Sequence, residues 1–298
     1  TGSFANPYLT IQTAIDSASE GHKIYVLPGN YEEGELDFET SSGSEVYKSV
    51  YLASDLVRLG DSTAIAATKI DAEGDGYLFN IGANSSTIQG FTLTGVTLSA
   101  YYGSVLRLHN GANVVFRDII MTGNSNTSRN ILGGAINITN SSPEFDNVII
   151  EDFGSAANSI YGTAYIEGSS SNVLFTDVIW KNNYAHQYGI VNAWSNSTVT
   201  LTNNVLVDNS QSSWIGILNI YNNSTMVLIN TTVVNNLSQD AQLVSFWDSN
   251  NKLVLLNSIL GISSKPEYQI WNNSQSNNSV YARNSVLPLG VTGSNQAS

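Results

Sequence analysis

Across residues 201–287, apolar and polar side chains alternate in short runs that repeat: LTNNVLV, LINTTVV, LLNSILG and ARNSVLP. Within them Asn203, Asn230, Asn257 and Asn284 recur at a spacing of 27 residues. Carried backwards, the register reaches Asp177, Asn147, Asp118 and, more weakly, Gly90. Two positions before this column every residue is apolar: Ile88, Phe116, Phe145, Phe175, Leu201, Leu228, Leu255 and Ala282. Three positions after it every residue is again apolar, from Leu93 and Met121 through Trp180 to Leu287. A period in this range marks a stacked array.

The unit of that array is a β-coil. Val, Ile, Thr, Tyr and Trp favour strands, and Asn, Ser and Gly favour the turns between them. One coil cannot bury its apolar side alone. Stacked coils can, because each strand pairs in parallel with its copy about 4.8 Å away. Asn suits a stacked turn, since its amide donates and accepts at once and tolerates left-handed backbone. Parallel crossovers are nearly always right-handed. The pattern predicts an all-β, right-handed parallel β-helix, a solenoid of about 10 to 11 coils with roughly 27 residues each. Its structural ladder runs through Asp118, Asn147, Asp177, Asn203, Asn230, Asn257 and Asn284. A ladder residue such as Asn230 is expected to be buried.

Residues 1–298 read as one β-helix domain. Over residues 1–21, Thr10 caps a short helix whose Ile11, Ala14, Ile15 and Ala18 share a side, with Gly21 as its stop. Such a helix would shield the first coil. Residues 22–75 form irregular first coils, in which the acidic run Glu32, Glu33, Glu35, Asp37 and Glu39 reads as a solvated loop. Regular coils follow over 76–287, each opening near a glycine such as Gly134, Gly162, Gly189 or Gly216. A second, partial column stands at Asn183, Asn209 and Asn236, and residues 288–298 lose the pattern, as a linker or frayed end would.

Charge narrows the function. Only 12% of the 298 residues are charged, and the net charge is −13. No basic stripe exists to meet phosphates, which disfavours nucleic acid and anionic membrane surfaces as partners. No apolar run is long enough to insert in a membrane. The chain has no cysteine and begins on Thr1 without a leader, as a mature segment of a longer protein would. The Lys-poor, Asn/Ser/Thr-rich surface points to a secreted or cell-surface setting. Eleven N-x-[S/T] sequons barely exceed what this composition yields by chance.

The segments NPYLTIQTAIDSASEGHKIYVLPGNYEE, TKIDAEGDG, IQGFTLTG, GGAINITNSSPEFDNVII and NSILG together resemble secreted bacterial and archaeal cell-surface proteins of the pectin-lyase-like β-helix superfamily. The resemblance implies the fold and a secreted setting. It leaves activity open, because that superfamily holds lyases, hydrolases, epimerases and many non-catalytic surface proteins. Its polyuronate-cleaving enzymes need clustered carboxylates, with an Arg or Lys base or an Asp pair. Here no Asp-Asp pair, Gly-His-Gly or Arg-x-Lys occurs, and no catalytic residue is assigned. Arg117 and Asp146 fall on adjacent coils and read as a cross-rung ion pair. His22, His109 and His186 share no column.

Three other features carry candidate chemistry. Asp71, Glu73 and Asp75 put oxygens at alternate positions before Gly76, which is either a partial calcium loop or a polar turn. No other cofactor is implied. Trp194, Tyr221 and Trp247 form an outward aromatic stripe, with Asn192, Asn219 and Ser245 beside them, also outward. The stripe is either a carbohydrate-binding strip or a stabilising ladder covered by a loop such as the one with Trp271. A second outward column is apolar: Ile120, Ile149, Ile179, Val205, Ile259 and Val286. It is either covered by the protein's own loops or packs on a surface partner or a second copy. The reading that collects these features is a non-catalytic extracellular scaffold, adhesin or filament-forming segment that also binds carbohydrate. A lyase or hydrolase acting on acidic polysaccharide is the alternative.

Overall fold

The computed structural model describes residues 2–41, 43, 45–74, 76–96, 104–123, 132–156, 160–213, 215–239, 242–261, 270–272, 277–287 and 291–292. Their architecture is a parallel β-helix. One face stacks ten strands, in order Lys23–Val26, Tyr51–Ser54, Thr87–Thr94, Val115–Thr122, Glu144–Glu151, Asn172–Thr176, Thr198–Thr202, Thr225–Ile229, Lys252–Leu256 and Ser279–Arg283. A second face stacks ten more, running from Leu36–Asp37 to Val291–Thr292. A third, short sheet holds Tyr184–Ala185, Ser210–Gln211 and Leu237–Ser238. Neighbouring strands pair in parallel. From Thr87–Thr94 onward eight turns carry the repeating register; the turns before them are irregular.

The register places the apolar columns inside. Phe116, Phe145, Phe175, Leu201, Leu228 and Leu255 are successive partners and buried, and the column ends at Ala282, which is exposed on the last coil. The three phenylalanine rings stack, at 5.2 Å between Phe116 and Phe145 and 4.7 Å between Phe145 and Phe175. Trp180 is fully buried, and its indole N–H donates to Asn204 Oδ1 at 3.2 Å. Each such side chain withdrawn from water contributes about 1.5–3 kcal/mol.

The Asn/Asp column sits at a corner, not in the core. Asp118, Asn147, Asp177, Asn203, Asn230, Asn257 and Asn284 all have φ between 49° and 57°, and Gly90 has φ 85°. Left-handed backbone costs most residues about 1–2 kcal/mol and costs Asn and Asp less, which accounts for the choice of residue. Their side chains link along the surface: Asn147 Nδ2 donates to Asp118 Oδ1, Asn230 Nδ2 to Asn203 Oδ1, and Asn257 Nδ2 to Asn230 Oδ1. Asn230 is therefore exposed rather than buried, because the corner turns its side chain away from the core.

The buried ladders lie one residue later. Backbone N–H groups of Asn204, Thr231 and Ser258 donate to the side-chain oxygens of Thr231, Ser258 and Ser285 on the next coil. A second buried ladder joins Asn183, Asn209 and Asn236, again just past left-handed residues at Asn182, Asp208 and Asn235.

At the N-terminal end the helix is Ile11–Ser17, capped by the Thr10 side chain, with Ile11 and Ile15 buried over the first coil. It stops short of Gly21: Ala18 is already extended, and the Gly21 N–H donates to Ser49 O in the next coil. The acidic run is not all solvated. Glu33 is buried, and its carboxylate accepts the Ile11 N–H at the start of the helix.

Candidate functional site

The loops that lead into the second sheet overhang its outer face. They pass one another backbone to backbone, which requires glycine: a Cβ on Gly189 would lie 2.6 Å from Ile217 O and 2.7 Å from Gly216 O. Beneath them runs a polar ladder. Asn192 Nδ2 donates to Gly189 O and Ala164 O, and Asn192 Oδ1 accepts the Gly189 N–H, all at 2.8 Å. Asn219 Nδ2 donates to Asn192 Oδ1, Ser245 Oγ to Asn219 Oδ1, and the Gly216 N–H to Ser245 Oγ. Asn192, Asn219 and Ser245 are thus buried, although Asn219 still lines the groove beside the aromatic stripe. Their side of the sheet follows the alternation, but the loops cover it.

Past that ladder the same strands carry Trp194, Tyr221 and Trp247, all half-buried and all on one groove of about 540 Å³. Trp194 and Tyr221 lie flat on each other, with centroids 3.8 Å apart and planes 10° apart. This fixes the axis of the stack along the coils, so the second face of Tyr221 turns toward the coil of Trp247. The Tyr188 ring meets Trp194 nearly perpendicular at 5.2 Å, closing one end. Tyr165, buried and in register with Asn192, packs 5.7 Å from Trp194. The opposite wall comes from the loops: His186, Gln187 and Tyr188, then Ser212, Ser213 and Ile215, then Gln239. His186 Nδ1 and Ser212 Oγ are hydrogen-bonded at 2.9 Å across two coils.

Trp271 is not on a covering loop. It lies in the strand Ile270–Asn272, in register with Ser245, and tilts onto Trp247 at 4.7 Å. Tyr188, Tyr165 and the loop residues were invisible to periodicity. Loops carry no fixed spacing, and the column of Tyr165 is mixed, with Arg107, Asn137, Asn192, Asn219, Ser245 and Trp271 at its other places.

Asp71 ends a strand, and Lys69 Nζ donates to its Oδ2 at 2.9 Å. Burial works to raise the Asp71 pKa. The hydrogen bonds from Lys69 and the Glu73 N–H, with the Lys69 charge, outweigh it and hold the carboxyl below the usual range. Glu73 sits exposed at φ 48°, and Asp75 lies outside the described residues. Among the described residues no three His, Cys, Asp or Glu side chains gather as metal ligands.

Other carboxylates are engaged. Arg117 Nε and Asp146 Oδ2 pair at 2.8 Å, and Asp118 accepts from Gln89 and Asn147. The apolar column stands outward in register, with Ile179 38%, Val205 36%, Ile259 43% and Val286 59% exposed, Ile120 and Ile149 half-buried, and Thr232 between Val205 and Ile259. Among the described residues no helix is long and apolar enough to cross a membrane.

No family model matches the chain, and no curated protein matches it. Among solved structures it is similar to the catalytic unit of a thermostable GH87 alpha-1,3-glucanase from Streptomyces thermodiastaticus, at 10% identity and a TM-score of 0.39, covering 94% of this chain. The chain spans 64% of that catalytic unit. It is also similar to the A-module of a mannuronan C-5 epimerase from Azotobacter vinelandii, at 12% identity and a TM-score of 0.25, with 98% of each chain covered.

Proposed function

We propose that the protein is a non-catalytic, extracellular β-helix scaffold or adhesin that binds carbohydrate in the groove of Trp194, Tyr221 and Trp247. The observation that carries this reading is the flat Trp194–Tyr221 stack, held on a rigid sheet and faced by uncharged amides and hydroxyls. Stacked on each other, Trp194 and Tyr221 turn their ring edges to the groove, a rigid apolar floor that a sugar can pack against at small entropic cost. The facing Ser and Gln side chains match sugar hydroxyls as donors and acceptors. Binding regions are concave, mostly apolar and rimmed by a few polar groups, and this groove fits that description. The non-catalytic part is supported by the engagement of Asp118 and Asp146 in bonds between adjacent coils and of Asp71 with Lys69 of its own strand.

Affinity electrophoresis against a panel of plant and microbial polysaccharides tests the reading. Retardation by at least one polymer, lost in Trp194→Ala and kept in Asn230→Ala, supports it. Retardation unchanged in Trp194→Ala removes the groove from the account. Shortened or unsaturated products in the same gels would replace the scaffold reading with a lyase or hydrolase.

A further inference from the structure

We infer that the outer side of the first face binds a second copy of the chain, with the two helix axes antiparallel. The contact uses the last five strands of that face, from Asn172–Thr176 to Ser279–Arg283. The groove lies on the second face, so the inference is independent of the carbohydrate reading. Its first support is a change of character along the axis. On the earlier coils the outward side chains are polar and tied to one another: Tyr51 donates to Gln89, Gln89 to Asp118, and Arg117 pairs with Asp146. From Thr198–Thr202 onward, no outward side chain within these strands is hydrogen-bonded among the described residues. The outward places there hold Val227, Ile229, Val254, Leu256 and Tyr281, and Leu174 stands one coil before. Leu174 is 37% and Tyr281 53% exposed. A solvated sheet face is polar outside, and a contiguous apolar one marks an interaction surface.

Size and charge then specify a copy as the occupant. The strand before Thr225–Ile229 carries the small Thr200 and Thr202, and the strand after it carries the larger Val254 and Leu256 in the same two columns. A two-fold axis along Thr225–Ile229 lays Val254 and Leu256 of one copy on Thr200 and Thr202 of the other. It lays Tyr281 on Leu174 and Val227 on its own equivalent. The same rotation brings Arg283 over Thr176 and beside Asp177. Both charged residues are exposed, and among the described residues neither side chain has a partner. By symmetry that ion pair forms twice. A two-fold axis along the helix would instead set Val254 on Val254 and Tyr281 on Tyr281, and leave Arg283 about 19 Å from Asp177. The five strands offer a footprint of about 24 by 17 Å, or about 400 Å² per copy. That is about half of a standard interface, which sets a weak, reversible dimer.

The test is sedimentation velocity of the purified chain across the micromolar range. The expected result is a monomer–dimer equilibrium whose dimer fraction rises with concentration. Val227→Asp sets two carboxylates against each other on the axis and should weaken the dimer at least about tenfold, with circular dichroism confirming the fold. Val227→Thr copies the residue already present at Thr200 in the same column, and as the milder variant should shift the equilibrium in the same direction. Arg283→Asp and Asp177→Arg should each weaken the dimer. Mixing these two variants should restore it, because each copy then meets its opposite charge at both contacts. A chain that stays monomeric throughout, or a dimer untouched by both Val227 variants, would overturn the inference. A dimer that senses Val227→Asp but ignores both charge reversals, or is not restored by the mixture, would overturn the antiparallel arrangement.

Discussion

Asn183 and Asn209 share one oxygen. Oδ1 of Asn209 accepts Nδ2 of Asn183 at 2.9 Å and the Asn183 backbone N–H at 3.0 Å. Both residues are buried, and Asn209 repeats the same pair of bonds to Asn236. Asn209 Nδ2 also donates to Trp180 O at 2.8 Å. Each amide thus ties its own coil to the next, where no water is available to substitute. Asn209→Ala would strand several buried donors and acceptors, and should cost about 2–4 kcal/mol in urea unfolding.

Asn230 belongs to the conspicuous 27-residue column yet is exposed, and its contribution is conformational. Asn230→Gly should leave stability within about 0.5 kcal/mol of the parent. Asn230→Val should cost about 1–2 kcal/mol, since a β-branched residue resists φ near 50°. Equal losses in the two variants would contradict this account of the corner.

The phenylalanine stack should be the least tolerant part of the core. Phe145 lies between Phe116 and Phe175 with no exposed edge. Phe145→Ala should cost about 3–5 kcal/mol, read from the same urea transitions. Phe145→Leu should cost less, because it removes less volume and later coils carry leucine at that place in the column.

Acid should weaken the fold near His109. Burial lowers the His109 pKa from its usual 6.5, Arg107 lowers it further, and Glu45 and Glu39 pull the other way with less effect. The unfolded chain therefore binds a proton more readily than the folded one. Stability from this group is fully present above pH 6.5 and is lost as pH falls from there through the depressed folded value. His109→Gln should show a smaller drop in Tm between neutral and mildly acidic buffer than the parent. An identical drop would place the acid sensitivity elsewhere.

The coil repeat was legible because parallel stacking sets each residue directly above its copy. A fixed spacing in sequence thereby becomes a column in space, as with Asn203, Asn230 and Asn257. The buried ladder at Asn204, Thr231, Ser258 and Ser285 was not legible. Its job is to accept one backbone N–H, which Asn, Thr and Ser all do, so no single letter repeats. The aromatic stripe was found by counting, while the covering of Asn192 and Asn219 was missed. Alternation tells which side of a strand a residue takes, not whether a loop crosses over it. Trp271 stands only 24 residues after Trp247 and fell out of the count, although it sits in the column of Ser245.

Loop position should govern the groove as much as its aromatic floor. A Cβ at Gly189 would press on backbone oxygens of the next coil, and the wall carrying His186 and Tyr188 must move in response. Gly189→Ala should cost about 1–3 kcal/mol in stability and weaken glycan retardation, although no ligand contact is removed.

The most direct measurement is titration of the polymer that retards the parent protein into Trp194→Ala, with folding checked by circular dichroism. The account predicts a loss of affinity of at least about tenfold while the coil fold persists. An intact affinity in the folded variant would contradict it.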